Sequence, residues 1–176
     1  YLAKANLALS ITITSITTLI APFVTPLLMK LFAGELVEID VTKMMWDINK
    51  MILLPIGAGL IFNQFLKGKL KWMDSAMPIV SMAGIAAIIT IITASGRDNL
   101  LTIGPILIGI VVIHNTAGYL LGYWSGKLFK MPEQDCRTIA IEVGMQNGGL
   151  ASGLAQQLGK AATMGLAPAV FGPFMN

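Results

Sequence analysis

Residues 142–149 read Glu142-Val143-Gly144-Met145-Gln146-Asn147-Gly148-Gly149, a stretch that combines one carboxylate with two amide side chains and three glycines. Glu142 is the only charged residue between Thr138 and Gly159. A carboxylate inside a segment long enough to cross a bilayer costs roughly 2.5–3.5 kcal/mol on insertion scales. The neighbouring amides and glycines predict that the helix unwinds here, and that Glu142 binds a cation or a proton.

The composition around this stretch is that of a membrane protein. Hydrophobic residues make up 55% of the chain, charged residues only 12%, and the mean hydropathy is +0.75. Soluble domains carry roughly 25% charged residues. Uncharged stretches, most of them near the length of about 20 residues that a bilayer-crossing helix needs, recur at 5–29, 51–66, 75–96, 99–126 and 161–176. We therefore predict an all-α, polytopic transmembrane protein.

Several other classes of protein are excluded. The net charge of +3 comes from basic residues in short gaps between apolar runs, so a nucleic-acid-binding face is not expected. The single cysteine, Cys136, cannot form a disulfide within the chain. The sequence contains no phosphate-binding loop, nucleophile elbow or cluster of cysteine and histidine metal ligands. We do not expect an enzyme.

Prolines and polar segments between the apolar stretches predict where the individual helices begin and end. Pro22 is expected to separate a helix ending near Ile20 from a second one ending near Ala33. The polar residues 35–50 predict an exposed connector, either a loop or a helix lying at the interface with Met44, Met45 and Trp46 toward lipid. Further helices are predicted at about 51–66, 77–95 and 101–125, followed by a broken segment at 138–158 and a partial helix from 161. Close helix packing is expected at the glycines of these helices, namely Gly57, Gly59, Gly84, Gly104 and Gly109.

Basic residues predict how the helices are oriented. Positively charged short loops face the cytoplasm, so the loop with Lys67, Lys69 and Lys71 and the turn from Lys127 to Arg137 are expected inside. The acidic connector from Glu35 to Asp40 then faces outside. We predict a multi-pass protein of the cell inner (plasma) membrane.

The polar residues of the broken segment suit a small hard cation. Glu142 and Gln146 share a helix face, and a break would release the carbonyls of Val143 and Met145. The alternative is a packing helix with small residues and one structural glutamate–lysine pair. Two further polar sites also have two interpretations. Ser10 and Thr14 either join the cation site or bond to their own helix, and His114 either packs or relays protons.

The same residues resemble a known family. The run from Glu142 to Gly149, continued by Leu150 and Ala151, closely resembles the signature of the bile acid:sodium symporter family. The opening residues 1–10, and His114-Asn115 followed by Gly118-Tyr119-Leu120-Leu121-Gly122, are similar to the same family.

The resemblance implies ten helices in two inverted repeats, with a panel domain and a core domain in which two broken helices cross. On that template residues 1–34 are the end of crossing helix 4 and helix 5 of the core, and 35–50 are the extracytoplasmic connector. Residues 51–96 are helices 6 and 7 of the panel, and 99–176 are helix 8, broken helix 9 and part of helix 10. The chain would then be a fragment of a bacterial-type member that lacks its N-terminal half.

The resemblance also implies two sodium ions and a substrate site. One ion is expected at Ser10, Thr14 and Glu142. The second is expected at Glu142, Gln146 and the carbonyls of Val143 and Met145. Substrate contacts are expected from residues at the start of the second half-helix and the end of the chain, namely Asn147, the Gly148 amide and Asn176.

These expectations lead to a function and two alternatives. The implied activity is sodium-coupled symport of an organic anion, either bile-acid-like or a small carboxylate, across the lipid bilayer. Met175 stands before Asn176, where bile-acid-binding relatives often have a histidine, which argues against bile acid itself. The alternatives are a cation–proton antiporter of related fold and a non-transporting membrane scaffold subunit.

Overall fold

A computed structural model describes residues 3–66 and 71–175, apart from the side chains of Leu66, Lys71 and Asp74. All the regular secondary structure of these residues is helical, which confirms the predicted all-α class. The predicted basic loop at 67–71 falls mainly outside the described residues, as does Asn176. The helices are α1 (Leu7–Ala33), α2 (Val41–Leu66), α3 (Lys71–Ser95), α4 (Arg97–Leu128), α5 (Glu133–Gly144), α6 (Gly148–Gln157) and α7 (Leu166–Met175).

Among the described residues, four helices are long and apolar enough to cross a membrane by their length and composition. They span Leu7–Ala33, Val41–Phe65, Ser75–Ser95 and Arg97–Leu128. Large apolar side chains on these helices are exposed, for example Leu31, Leu60 and Ile113 at 73%, 67% and 71%. Such surfaces suit a hydrocarbon environment, in agreement with a polytopic membrane protein.

The predicted helix boundary at Pro22 is wrong, because α1 continues through both Pro22 and Pro26 to Ala33. Each proline removes one backbone hydrogen bond. The two prolines are four residues apart on one face, and both are buried. Membrane helices tolerate proline when surrounding protein groups compensate for the lost bond. The helix α1 is therefore not interrupted at Pro22.

The predicted connector is partly helical, which agrees with the interpretation of this segment as a helix. The helix α2 begins at Val41, so the second half of the 35–50 segment is helical. Asp40 caps this helix, since its Oδ1 accepts the Lys43 N–H at 2.9 Å. Asp47 and Lys50 then form an ion pair at 2.8 Å within the helix.

The described residues belong to two compact units. One comprises Tyr1–Ser10 with Ala76–Asn176, and the other comprises Ile11–Ser75. The helix α1 thus contributes its first residues to the unit that holds the broken segment. The assignment of residues to panel and core domains stays a prediction.

Within the larger unit, α3 and α4 meet at a single residue, Gly96. A Cβ atom at this position would lie 2.7 Å from the Ala162 carbonyl oxygen and 2.7 Å from Leu166 Cδ2. Only glycine permits that approach. The neighbouring Ile92, Leu166 and Ala169 form a buried apolar cluster, which fixes the turn before α7 against the α3–α4 corner.

The helices α4 and α5 pack closely along a stripe of small residues. Gly118, Gly122 and Gly126 lie four residues apart and therefore on one face of α4. A Cβ at Gly122 would lie 2.8 Å from Ala140 Cα, and one at Gly126 would lie 2.9 Å from Cys136 Sγ. Small residues at such spacing let membrane helices approach backbone to backbone.

The glycines at these close contacts are not the ones that the sequence predicted. A Cβ at Gly57, Gly59, Gly84 or Gly109 would meet no described atom within 4 Å, and one at Gly104 would meet only the side chain of Leu100 in the same helix. The prediction for these residues is therefore wrong within the described part of the chain, and the close contacts lie instead at Gly118, Gly122 and Gly126.

This contrast within one helix gives a matched test of the packing. Gly122→Ala should destabilise the protein by about 1–3 kcal/mol, because the added methyl group overpacks the α4–α5 contact. Gly109→Ala should have no destabilising effect, since the new methyl group meets open space. Thermal unfolding of the full natural chain in detergent measures both. Equal melting temperatures for the two variants would contradict this account of the packing.

Candidate functional site

The predicted unwinding after Glu142 is confirmed. The helix α5 ends at Gly144 and α6 begins at Gly148. Between them Met145 is extended, with φ −81° and ψ 119°, and Asn147 has φ −82° and ψ 77°. The chain therefore leaves helical winding for three residues and resumes it directly.

The break is held by hydrogen bonds between its own residues. The Gln146 side chain donates through Nε2 to the Val143 carbonyl at 2.7 Å. The Gly148 N–H donates to the Gln146 carbonyl at 3.0 Å. Asn147 caps α6 by accepting the Leu150 N–H at 2.9 Å. These bonds place the Gln146 amide beside the Val143 carbonyl, two of the groups predicted to bind a cation.

The carboxylate of Glu142 contacts the start of α1. The Ser10 hydroxyl donates to Glu142 Oε1 at 2.5 Å, across a sequence separation of 132 residues. Both residues are half-buried. Two of the residues predicted from separate parts of the sequence thus meet beside the helix break. Their oxygens are hard ligands of the kind that small hard cations prefer.

Asn6 holds this contact in register. Its Oδ1 accepts the Leu9 N–H at 3.2 Å and so caps α1. Its backbone N–H donates to Thr138 Oγ1 at 2.7 Å, and its side-chain Nδ2 donates to Asp135 Oδ1 at 2.8 Å. Asp135, Thr138 and Glu142 lie on one face of α5. With Asn6 fixed beside the first two, Ser10 one turn later reaches the third.

The N-terminal end of α5 is tied to the end of α4 by charged groups. Glu133 pairs with Lys127 at 2.6 Å and with Arg137 at 3.1 Å. The Tyr123 hydroxyl also donates to Glu133, at 3.0 Å to Oε2. The Lys127 ammonium, followed by Tyr123 and Arg137, lowers the pKa of Glu133 to about 2. Glu133 is therefore ionised at physiological pH, and the pairs persist there.

The structure leaves the other predicted site residues with mixed outcomes. Thr14 lies one turn after Ser10 in α1, in the other compact unit. Met145 lies within the break and is 41% exposed. The Gly148 N–H and the Asn147 oxygen bond within the turn, as given above, rather than pointing outward. Asn176 lies outside the described residues. The ligand roles of these five residues stay predictions.

Two residues that the sequence interpretation missed lie on α4 beside the break. Asn115 donates through Nδ2 to the Gly144 carbonyl at 3.0 Å. The Tyr119 hydroxyl donates to the Met175 carbonyl at 3.0 Å, and its ring lies where a Cβ of Gly144 would be. Their spacing of four residues in an apolar helix was the available signal. His114 packs edge-on against Phe171 with ring centroids 5.6 Å apart, which favours its packing role.

Comparison with known proteins gives a consistent result. The sequence profile of the Sodium Bile acid symporter family matches residues 1–103, more than half of the chain. The chain is also 44% identical over 155 residues to an uncharacterised sodium-dependent transporter, YocS, of Bacillus subtilis (strain 168), which covers 88% of this chain and 48% of that protein.

Plant proteins match over a similar extent. Identity is 34% over 160 residues with the probable chloroplastic sodium/metabolite cotransporter BASS3 of Oryza sativa subsp. japonica, covering 89% of this chain and 38% of that protein. The Arabidopsis thaliana protein of the same description is 35% identical over 159 residues, covering 89% of this chain and 37% of that protein. The chain thus spans about half the length, or less, of these relatives. An alignment covering 88% of the chain necessarily includes Glu142, whichever end it omits.

The Ser10–Glu142 contact gives a direct test of the site. Ser10→Ala removes one of the predicted oxygen ligands and should raise the half-maximal sodium concentration by about 10- to 150-fold, as expected for losing an interaction of about 1.5–3 kcal/mol with a charged group. Ser15→Ala is the control, because Ser15 is exposed and donates to the Ile11 carbonyl of its own helix. Sodium-dependent thermal stabilisation of the full natural chain measures both. Equal sodium responses in the two variants would exclude Ser10 from the site.

Proposed function

This chain belongs to the Sodium Bile acid symporter family, and from that premise we propose that it couples sodium entry to the symport of an organic anion by alternating access. The relatives are described as a sodium-dependent transporter and as sodium/metabolite cotransporters. The proposed activity is transport across the inner (plasma) membrane, with no catalytic step.

The observation that supports this proposal best is the meeting of Ser10 and Glu142 beside an unwound helix. A carboxylate at membrane depth is costly. A bound sodium ion would offset that cost by neutralising the charge and by accepting lone pairs from both oxygens. The ion would then link the start of α1 to α5.

A second sodium ion is proposed at the break itself. Gln146 already lies against the Val143 carbonyl, at 2.7 Å. Rotation of its amide group would present Oε1 beside the carbonyls of Val143 and Met145. Together with Glu142 these groups form a ligand set of oxygens only, which suits an alkali metal ion.

We place the anionic substrate at the start of α6. A helix N-terminus offers backbone amides and a partial positive charge, both of which favour anions. Asn147 and Gly148 occupy that position, and Asn176 follows the end of α7. An anion bound there would have to displace the Gln146 carbonyl from the Gly148 N–H. The substrate class that fits is a small carboxylate or a larger organic acid. The panel and core domains would close around the bound anion.

The proposed stoichiometry makes transport electrogenic. Two sodium ions with one monovalent anion carry one net positive charge inward. Each such charge gains about 2.3 kcal/mol per 100 mV of membrane potential. A proton antiporter or a scaffold subunit would not show this combination of sodium binding and substrate-dependent charge movement.

Glu142 provides the decisive test. Glu142→Gln keeps the shape and removes the charge, so sodium affinity should fall by about a hundredfold or more, as expected from the roughly 3–5 kcal/mol cost of removing one partner of a buried charged pair. Glu38→Gln is the control, because Glu38 is an exposed acid in the connector. Thermal unfolding of the full natural chain in sodium chloride against choline chloride reports binding.

The same preparation separates the alternatives. Proteoliposomes that contain a pH-sensitive dye should show no proton movement when a sodium gradient is applied without an organic anion. Exchange of sodium for protons under those conditions would establish the antiporter instead. A wild-type protein with no sodium-dependent thermal shift would reject sodium coupling and leave the scaffold interpretation.

A further inference from the structure

We propose that Asn115 is a positioning residue for the sodium site, because its side chain holds the final carbonyl of α5 and thereby sets the geometry of the break. This inference rests on the proposed function. It concerns a residue of α4 outside the sodium and substrate sites proposed above.

The carbonyls at the end of α5 need partners from elsewhere. The last four carbonyls of a helix have no intrahelical N–H to accept. In α5 the Ile141 carbonyl accepts the Met145 N–H at 2.8 Å, and the Val143 carbonyl accepts the Gln146 side chain at 2.7 Å. The Gly144 carbonyl accepts Asn115 Nδ2 at 3.0 Å. Of these three bonds, only the one from Asn115 comes from another helix.

Asn115 differs from a polar side chain that only hydrogen-bonds to the backbone of its own helix. Asn49 in α2 donates to the Met45 carbonyl of its own helix, at 2.8 Å. Asn115 is half-buried in the middle of α4, where an amide without a partner would be costly. Its donor is directed across to the break, so its bond fixes the α5 end relative to α4.

The packing around Gly144 makes this bond a geometric constraint. Gly144 is buried, with the Tyr119 ring against it. A Cβ at Gly118 would lie 3.0 Å from the Val143 carbonyl oxygen. The backbone of α4 therefore limits movement of the break on one side. The peptide group between Gly144 and Met145 is held at both ends, because its carbonyl accepts Asn115 Nδ2 and its N–H donates to the Ile141 carbonyl. It lies between the peptide groups that carry the Val143 and Met145 carbonyls, so loosening it changes the backbone angles next to both.

The expected consequence is weaker sodium binding with a folded protein. Without the Asn115 bond the peptide group between Gly144 and Met145 is held only through its N–H. Its carbonyl end gains freedom, and sodium binding must then order it. Losing one hydrogen bond of about 0.5–1.5 kcal/mol corresponds to a change of about two- to tenfold in affinity. A purely structural role would lower the melting temperature without moving the sodium midpoint.

Asn115→Leu tests the proposal, because leucine has nearly the same shape and no donor. Asn99→Leu is the matched control. Asn99 also lies in α4 and donates its side-chain amide to a backbone carbonyl, that of Ala162 at 3.1 Å, at the opposite end from the break. In the full natural chain, thermal unfolding is followed over a sodium chloride series at constant ionic strength with choline chloride. Asn115→Leu should raise the sodium midpoint by about two- to tenfold, and Asn99→Leu should leave it unchanged.

Further outcomes decide the matter in each direction. An unchanged midpoint in folded Asn115→Leu, or an equal shift in Asn99→Leu, overturns the proposal. If Asn115→Leu does not fold, Asn115→Ser replaces it, since its shorter side chain also withdraws the donor from Gly144 and the same shift is required. Absence of any sodium response in the wild type rejects the proposed function itself, whereas a normal wild-type response with an unshifted variant rejects only the role of Asn115.

Discussion

The structure around Glu142 depends on one constraint, which is that the polar groups released where a helix unwinds must find partners within the protein. A buried polar group without a partner costs several kcal/mol, and the hydrocarbon core of a bilayer supplies no water to replace that partner. The described partners come from three places. Gln146, within the break, donates to the Val143 carbonyl. Asn115 of α4 donates to the Gly144 carbonyl, and Ser10 of α1 donates to the Glu142 carboxylate. The break is therefore a junction of three segments.

Close packing makes those partners reachable. A side-chain amide spans only a short distance, so α4 must approach α5 almost backbone to backbone, as the Gly118, Gly122 and Gly126 stripe permits. On the other side, Asn6 fixes the start of α1 to Asp135 and Thr138. Away from this region, the ion pair of Glu133 with Lys127 holds the start of α5 to the end of α4, and Glu133 also pairs with Arg137 within α5. Apolar packing and surface charges thus determine the position of the polar site without taking part in it.

The sequence predicted the break and its carboxylate because both arise from local chemistry. A lone acid followed by amides and glycines is unfavourable in a regular membrane helix wherever the helix packs. Pro22 was misinterpreted because proline ends helices in water more reliably than in a bilayer. The packing glycines were misassigned because the residues at a close helix contact depend on where the partner helix lies. Asn115 was missed for the same reason, since its role exists only through the Gly144 carbonyl of α5.

The hydrogen bonds at the break also bear on how sodium binding could couple to conformation. The Ser10 hydroxyl and the Gln146 amide each donate to a group that we propose as a sodium ligand. Binding an ion would exchange these donors for a cation at the same oxygens, so the hydroxyl and amide would have to rotate. Each oxygen keeps a partner in that exchange, whereas the Ser10 hydroxyl hydrogen and the Gln146 amide hydrogen must find new acceptors. The bonds from Asn115 and Asn6 involve groups outside the proposed ligand set, so they can persist throughout. The site then combines a fixed frame with two adjustable side chains, an arrangement suited to binding and releasing ions repeatedly.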